Sequence, residues 1–362
     1  MLIIAPMIEY NKQDTKSVLQ AKFDAQKIAF APIVFQASKT LCDLGILQLI
    51  SEQGKDGITV KDICDKLDLP RYGVQVLLEV ALSSELVRFE NDKFYILKTG
   101  RFLVNDTMTQ VNMNFVHDVC YQGMFSLKEA IITGKPTGLK VFDNWNTIYE
   151  GLSQLPEQVK KSWFEFDHFY SDGVFDELLP IVFKNNPQTI MDVGANTGKW
   201  SLKCLDFNSD VKMKMVDLPG QLNVATQNLN SKGFEGRYEA HPTDLLNDSN
   251  QLPEGANVIW MSQFLDCFSE EQIISILKRA KDVMSPESSL FILETYWDRQ
   301  EYEAAAFSLH NTSLYFTCLA NGCSKMYHSD EMKRCISEAG LQVVMEKDSI
   351  GVSHSLFECK LV

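Results

Sequence analysis

Apolar positions in the second half of the chain fall into short runs set apart by amphipathic stretches. Thr189–Val193, Met213–Asp217, Arg237–Ala240, Asn257–Met261 and Ser289–Glu294 read as strands, the first of them apolar enough to be covered on both faces. Ser269 with Gln272 three residues on is a capping box, so a helix starts there. Asp330–Ala339 reads as a last helix, and Leu341–Glu346 with Ser355–Lys360 as a closing hairpin. Strand alternating with helix predicts a doubly wound α/β domain over 176–362.

The first half has a different rhythm. Leu41, Leu44, Ile46, Leu47 and Ile50 form a helical stripe over Ser38–Ile50. Thr59 opens a second helix carrying Val60, Ile63 and Leu67, which Leu69-Pro70 closes. Arg71–Leu82 reads as a third. Leu86–Phe89 and Lys93–Leu97 then pair around Asn91-Asp92 as a hairpin. Three helices and a two-stranded wing predict a mainly α winged-helix module over 1–110. Residues 111–175 read as long helices linking the two domains, with Met113, Val116, Cys120, Met124 and Leu127 along one face. That segment ends in a crowd of aromatics, from Trp163 and Phe164 to Phe169, Tyr170 and Phe175.

Composition narrows the possibilities. At 362 residues more than one domain is expected. The net charge of −14 (34 basic against 48 acidic residues) disfavours nucleic acid and anionic membrane as partners. The would-be recognition helix carries Arg71 as its one basic residue, too little for phosphate contacts. Nine cysteines without a C-x-x-C pair suggest reduced thiols rather than a disulfide framework or a metal site, and so a cytoplasmic setting. No apolar run approaches a membrane span, and Met1–Tyr10 lacks the basic start and cleavage signal of a leader.

Candidate chemistry begins at the first strand of the second domain. Asp192-Val193-Gly194-Ala195-Asn196-Thr197-Gly198 takes a buried strand through a glycine turn into a helix. The two glycines are expected to free the turn and to let a ligand lie where a Cβ would intrude. The spacing lacks the third close-set glycine of the dinucleotide fingerprint, which disfavours a nicotinamide-dependent reductase. Asp217, at the tip of the second strand, is placed to accept ribose hydroxyls. Thr243-Asp244-Leu245 follows the third strand.

In this order the motifs resemble those of S-adenosylmethionine-dependent methyltransferases. Asp217-Leu218-Pro219 is similar to the Asp-Leu-Pro of the plant-type small-molecule O-methyltransferases and their bacterial relatives. The resemblance covers essentially the whole chain. It implies a Rossmann-like catalytic domain, and a winged-helix module that joins two copies into a homodimer. S-adenosylmethionine would be held by the loop Asp192–Gly198 through Gly194, Ala195, Asn196 and Gly198. Asp217 and Leu218 would serve the ribose, and Thr243, Asp244 and Leu245 the adenine. Ser262 and Gln263, at the end of the fourth strand, and Tyr170 in the aromatic roof complete the implied set. The product would be S-adenosylhomocysteine.

At the catalytic position the family pattern breaks. The family places a His after the fourth strand in Leu-His-Asp-Trp-Ser-Asp-Glu, whereas this chain reads Leu265-Asp266-Cys267-Phe268-Ser269-Glu270-Glu271. Asp266 therefore stands where the His would be, Ser262 at an upstream Lys, and Met326 near a later Glu. Glu294 keeps an acid at the end of the fifth strand. Three readings stay open. Asp266 is the general base, its pKa raised by an apolar pocket, or His310 in the family's lid stretch is the base, or the acceptor needs no strong base. The expected activity is methyl transfer to a small hydroxylated aromatic or polyketide-like acceptor, as in secondary metabolism, with O-methylation first. C-methylation of an activated phenol ring, N-methylation, and a regulatory protein that binds the cofactor without catalysis are the alternatives.

Overall fold

The computed structural model describes residue 10 and residues 13–362, apart from the side chains of 171 and 172. The leader reading of Met1–Tyr10 thus falls almost wholly outside the described residues. The chain forms two compact units, divided between His117 and Asp118.

In the first unit α1 (Val18–Asp43) is capped by Ser17, whose hydroxyl accepts from the Gln20 amide. Gly45, at φ 73°, then turns the backbone into α2 (Ile46–Glu52). The stripe read as one helix is therefore two, because a left-handed residue cannot continue an α-helix. Thr59 caps α3 (Val60–Leu67), and α4 (Arg71–Ser83) follows. Strands β1 (Val87–Glu90) and β2 (Lys93–Ile96) pair around Asn91 and Asp92, both at positive φ, as a tight hairpin turn requires. Helices α5 (Lys98–Asn105) and α6 (Thr107–Phe115) end the unit. Leu41, Leu47, Ile50, Ile63 and Leu78 fill its core. Along α1 the apolar residues Val18, Leu19, Ile28 and Ile33 stay 61–83% exposed.

The second unit opens with α7 (Leu127–Thr133), α8 (Ile148–Gly151) and α9 (Glu157–Ser171). These are shorter than the long helices expected. Gly134 adopts φ 62°, and Gly138 lies so close to another backbone that a Cβ there would meet the Cys318 carbonyl at 2.8 Å. Helix α10 (Phe175–Val182) leads into the sheet. Its elements are β3 (Thr189–Val193), α11 (Lys199–Phe207), β4 (Lys212–Asp217), α12 (Pro219–Ser231) and β5 (Tyr238–Pro242). They continue as β6 (Val258–Ser262), α13 (Glu270–Asp282), β7 (Ser289–Glu294) and α14 (Glu303–Tyr315). Helix α15 (Ser329–Glu338), β8 (Leu341–Ile350) and β9 (His354–Leu361) close the unit.

The seven strands lie in the order β5-β4-β3-β6-β7-β9-β8, the first five parallel and β9 antiparallel between β7 and β8. One face packs Ile259, Ile292 and Phe357 against α13 and α15. The other packs Trp260, stacked at 4.0 Å on Trp200, with residues of α10, α11 and α12. The connections lead outward from β3 in one direction and from β6 in the other, so the switch point lies between those two strands. Ligands of doubly wound folds bind in the crevice at such a point. Among the described residues no single helix is long and apolar enough to cross a membrane.

Candidate active site

On the β3 side of the switch point, Gly194 and Gly198 both take φ 78° and Asn196 φ 47°. The amides of Gly194 and Ala195 donate to the Val216 carbonyl at 2.9 and 3.4 Å, tying the turn to β4. A Cβ on Gly194 would strike the Phe264 ring, and one on Gly198 would stand 2.8 Å from Leu229 Cδ1. This corrects one expectation. The space these glycines leave is filled by the protein's own side chains, not kept for a ligand.

The Asp217 carboxylate reaches back to the same turn. Its Oδ2 accepts from the Asn196 amide at 2.8 Å and its Oδ1 from the Leu218 amide at 2.6 Å. Burial raises its pKa, and those two bonds offset part of the rise. Asn196 also donates through Nδ2 to Asp167 of α9 at 3.2 Å and accepts from Gln221 of α12 at 3.3 Å. Asp192 points inward, 3% exposed, and accepts from the Ser201 hydroxyl at 2.6 Å. Burial pushes it up to about 7.

Beyond β5 the Thr243 amide donates to the Asp217 carbonyl at 2.9 Å. Asp244 is exposed, and its side chain accepts from the Leu246 amide. Leu245 is buried, its carbonyl held by Arg279 Nη2 at 2.7 Å. Arg279 also donates to the carbonyls of Asn247 and Asn250, so one guanidinium of α13 braces this whole loop.

On the β6 side, Ser262 pairs with Leu293, and Gln263 follows in the left-handed region at φ 46°. Such a conformation in a non-glycine residue is costly and tends to gather at functional sites. The Gln263 amide donates to the Leu293 carbonyl, while its buried Oε1 has no partner. The amides of Phe264 and Leu265 donate to Glu294 Oε1 at 3.0 and 2.8 Å, leaving Oε2 buried and unmatched. Asp266, 7% exposed, follows directly, and the Cys267 thiol lies 3.5 Å from its Oδ1. Burial holds the Tyr149 hydroxyl well above its usual pKa, with the Cys267 thiol and Asp266 carboxyl nearby adding to the rise. Burial pushes Asp266 up to about 6, and burial together with the Asp266 charge holds Glu294 well above the usual carboxylate range. The turn is braced from behind by Asn321, on the Cys267 carbonyl at 2.6 Å, and by Tyr327, on the Phe268 carbonyl at 2.6 Å.

The glycine turn, Asp217, Gln263, Asp266 and Glu294 thus gather along one edge of the sheet, with Phe264 joining the two halves. Tyr170 is half-buried in α9, its ring 5.3 Å from Phe166 and 5.2 Å from Phe169. His310 is exposed on α14, with its ring 4.9 Å from that of Trp297. Met326 is buried, its sulfur accepting from Thr295. Sequence reasoning passed over Asp167, Phe264, Tyr149 and Arg279. Phe264 adjoins the residues singled out after β6, so proximity in sequence could have flagged it. The other three meet the site only through tertiary contacts.

An O-methyltransferase domain matches residues 174–342, and a Dimerisation2-like domain matches residues 22–94. The chain's second domain is an O-methyltransferase domain. O-methyltransferase SfmM3 of Streptomyces lavendulae is 25% identical over 146 residues, 39% of this chain and 43% of that protein. The chain thus matches under half the length of that relative. Bacteriochlorophyllide d C-20 methyltransferase of Chlorobaculum tepidum is 20% identical over 76% of the chain and 80% of its own length. Among solved structures, the S-adenosylmethionine-dependent methyltransferase SibL superposes with a TM-score of 0.71 at 20% identity, over 93% of this chain and 98% of its own.

Proposed function

We propose that this protein transfers a methyl group from S-adenosylmethionine to the hydroxyl oxygen of a small aromatic or polyketide-like acceptor, and does so as a homodimer. The observation that carries the reading is the buried pair of carboxyls, Asp266 and Glu294, at the ends of β6 and β7, beside the glycine turn that Asp217 holds on the other side of the switch point. The site is acidic, with Asp217 and Asp266 in its lining, and its Gln263 keeps a buried oxygen unmatched. Such a lining suits a cationic ligand with polar groups of its own. The cofactor supplies an electrophilic methyl carbon on a sulfonium.

In this reading Asp217 accepts the ribose hydroxyls and Asp244 the adenine amino group. Leu218, Thr243 and Leu245 shape the wall between them. The turn from Asp192 to Gly198 holds the amino-acid end, joined there by Ser262, Gln263 and Tyr170. Asp266 takes the acceptor's proton as the oxygen attacks, and Trp163, bonded to the Tyr315 hydroxyl at 2.8 Å, helps keep water out. His310, exposed on α14 beside Trp297, is the less favoured base. The exposed apolar residues of α1, inside the Dimerisation2-like match, support the homodimer.

A second reading, methyl transfer to carbon, is favoured by the likeness to the C-20 methyltransferase of Chlorobaculum. Calorimetry with S-adenosylhomocysteine tests the shared part. Binding should weaken by about 1.5–3 kcal/mol in Asp217→Ala, and unchanged affinity would remove Asp217 from the site. Turnover with phenols, read as S-adenosylhomocysteine release, separates an enzyme from a protein that only binds the cofactor. The position of the new methyl group in the product separates oxygen from carbon.

A further inference from the structure

Glu294 has one oxygen saturated and one empty-handed. Oε1 accepts two backbone amides, while Oε2 is buried in a residue 1% exposed and meets no partner. A buried carboxylate oxygen left this way is costly, and the cost falls if that oxygen carries a proton and donates it. Asp266 adjoins it in the same water-poor space, where two carboxylates cannot both ionise easily. The backbone amides of Phe264 and Leu265 that meet Glu294 are donors and supply no acceptor for such a proton. A carbonyl oxygen of a bound ligand can supply it.

We propose that Glu294 acts as a neutral acid whose Oε2–H donates to a carbonyl oxygen of the acceptor, beside the hydroxyl that is methylated. The acceptor class is then an aromatic hydroxyl with a conjugated carbonyl on the neighbouring ring carbon. This rests on the methyltransferase reading and deepens it. As the hydroxyl oxygen bonds to the methyl carbon, its proton passes to Asp266 and the carbon–sulfur electron pair goes to sulfur. The Glu294 proton stays in place. Charge that develops on the attacking oxygen spreads onto the carbonyl, where the Glu294 hydrogen bond meets it. That arrangement compensates for a base weaker than the phenolate it must generate.

The test uses the full-length protein loaded with S-adenosylhomocysteine and titrated calorimetrically with 2-, 3- and 4-hydroxyacetophenone and with catechol. The wild type should bind the 2-isomer about tenfold more tightly than the 4-isomer, the worth of one buried hydrogen bond. Glu294→Gln keeps an acceptor for the two amides and a neutral donor, so it should keep the preference, while Glu294→Ala should lose it. Equal binding of the isomers overturns the proposal, as does a Gln variant that loses the preference along with Ala, or a wild type that prefers catechol. Failure of the wild type to bind S-adenosylhomocysteine overturns the methyltransferase reading and this inference with it. Cofactor-product binding without the isomer preference overturns this inference alone.

Discussion

An aspartate standing where the family uses an imidazole changes what the pH dependence must look like. Asp266 owes its pKa of about 6 first to burial, so its basic form fills as pH rises through that value. Activity should climb through pH 6 and level off above it. Asp266→Asn should lower kcat by about 10²–10⁴ and leave cofactor affinity nearly intact. Normal turnover in that variant, with loss in His310→Ala, would transfer the role to His310. The same carboxyl bears on stability with the opposite sign. A folded-state pKa above the unfolded value means a contribution that is full below about pH 4 and lost as pH rises through 6. The pH range that activates Asp266 is therefore the range in which its burial costs stability.

Elements differ in how plainly their sequences announce them. The capping box at Ser269 and Gln272 and the paired left-handed residues Asn91 and Asp92 were legible because each depends on contacts within a few residues. So were the buried strands, whose apolar runs need no partner to be read. The third strand starts one residue and ends two residues later than expected, at Tyr238–Pro242, since an edge strand of mixed burial carries a weak pattern. The division at Gly45 and the breaks between 118 and 156 were missed because a helical stripe does not show where its backbone turns left-handed. At the site, Asp217, Asp266 and Glu294 could be found at strand ends. The Asp167–Asn196 bond, spanning 29 positions, and the bracing by Arg279 could not. Nor could the sequence tell that Gly194 makes room for Phe264.

For the molecule as a whole, the exposed apolar face of α1 is the feature that a single chain leaves unresolved. Light scattering should report a dimer at micromolar concentration, and a double variant Ile28→Asp, Ile33→Asp should shift it toward monomer. A stable obligate interface buries more than about 2,000 Å², so a monomeric wild type would count against α1 as a contact face. The order of strands has another consequence, one that concerns synthesis. Strand β7, which ends in Glu294, gains its outer neighbour only when β9 arrives, with Ser355 opposite Glu294 and 61 positions later in the chain. At roughly 5–20 residues per second this is a delay of about 3–12 s. Through that interval a strand that is buried along its whole length in the finished fold offers a bare edge of amides and carbonyls to any other extended chain. A fragment ending at residue 353 would hold the nascent chain at that stage permanently, and sedimentation should show it forming assemblies larger than those of the full-length protein.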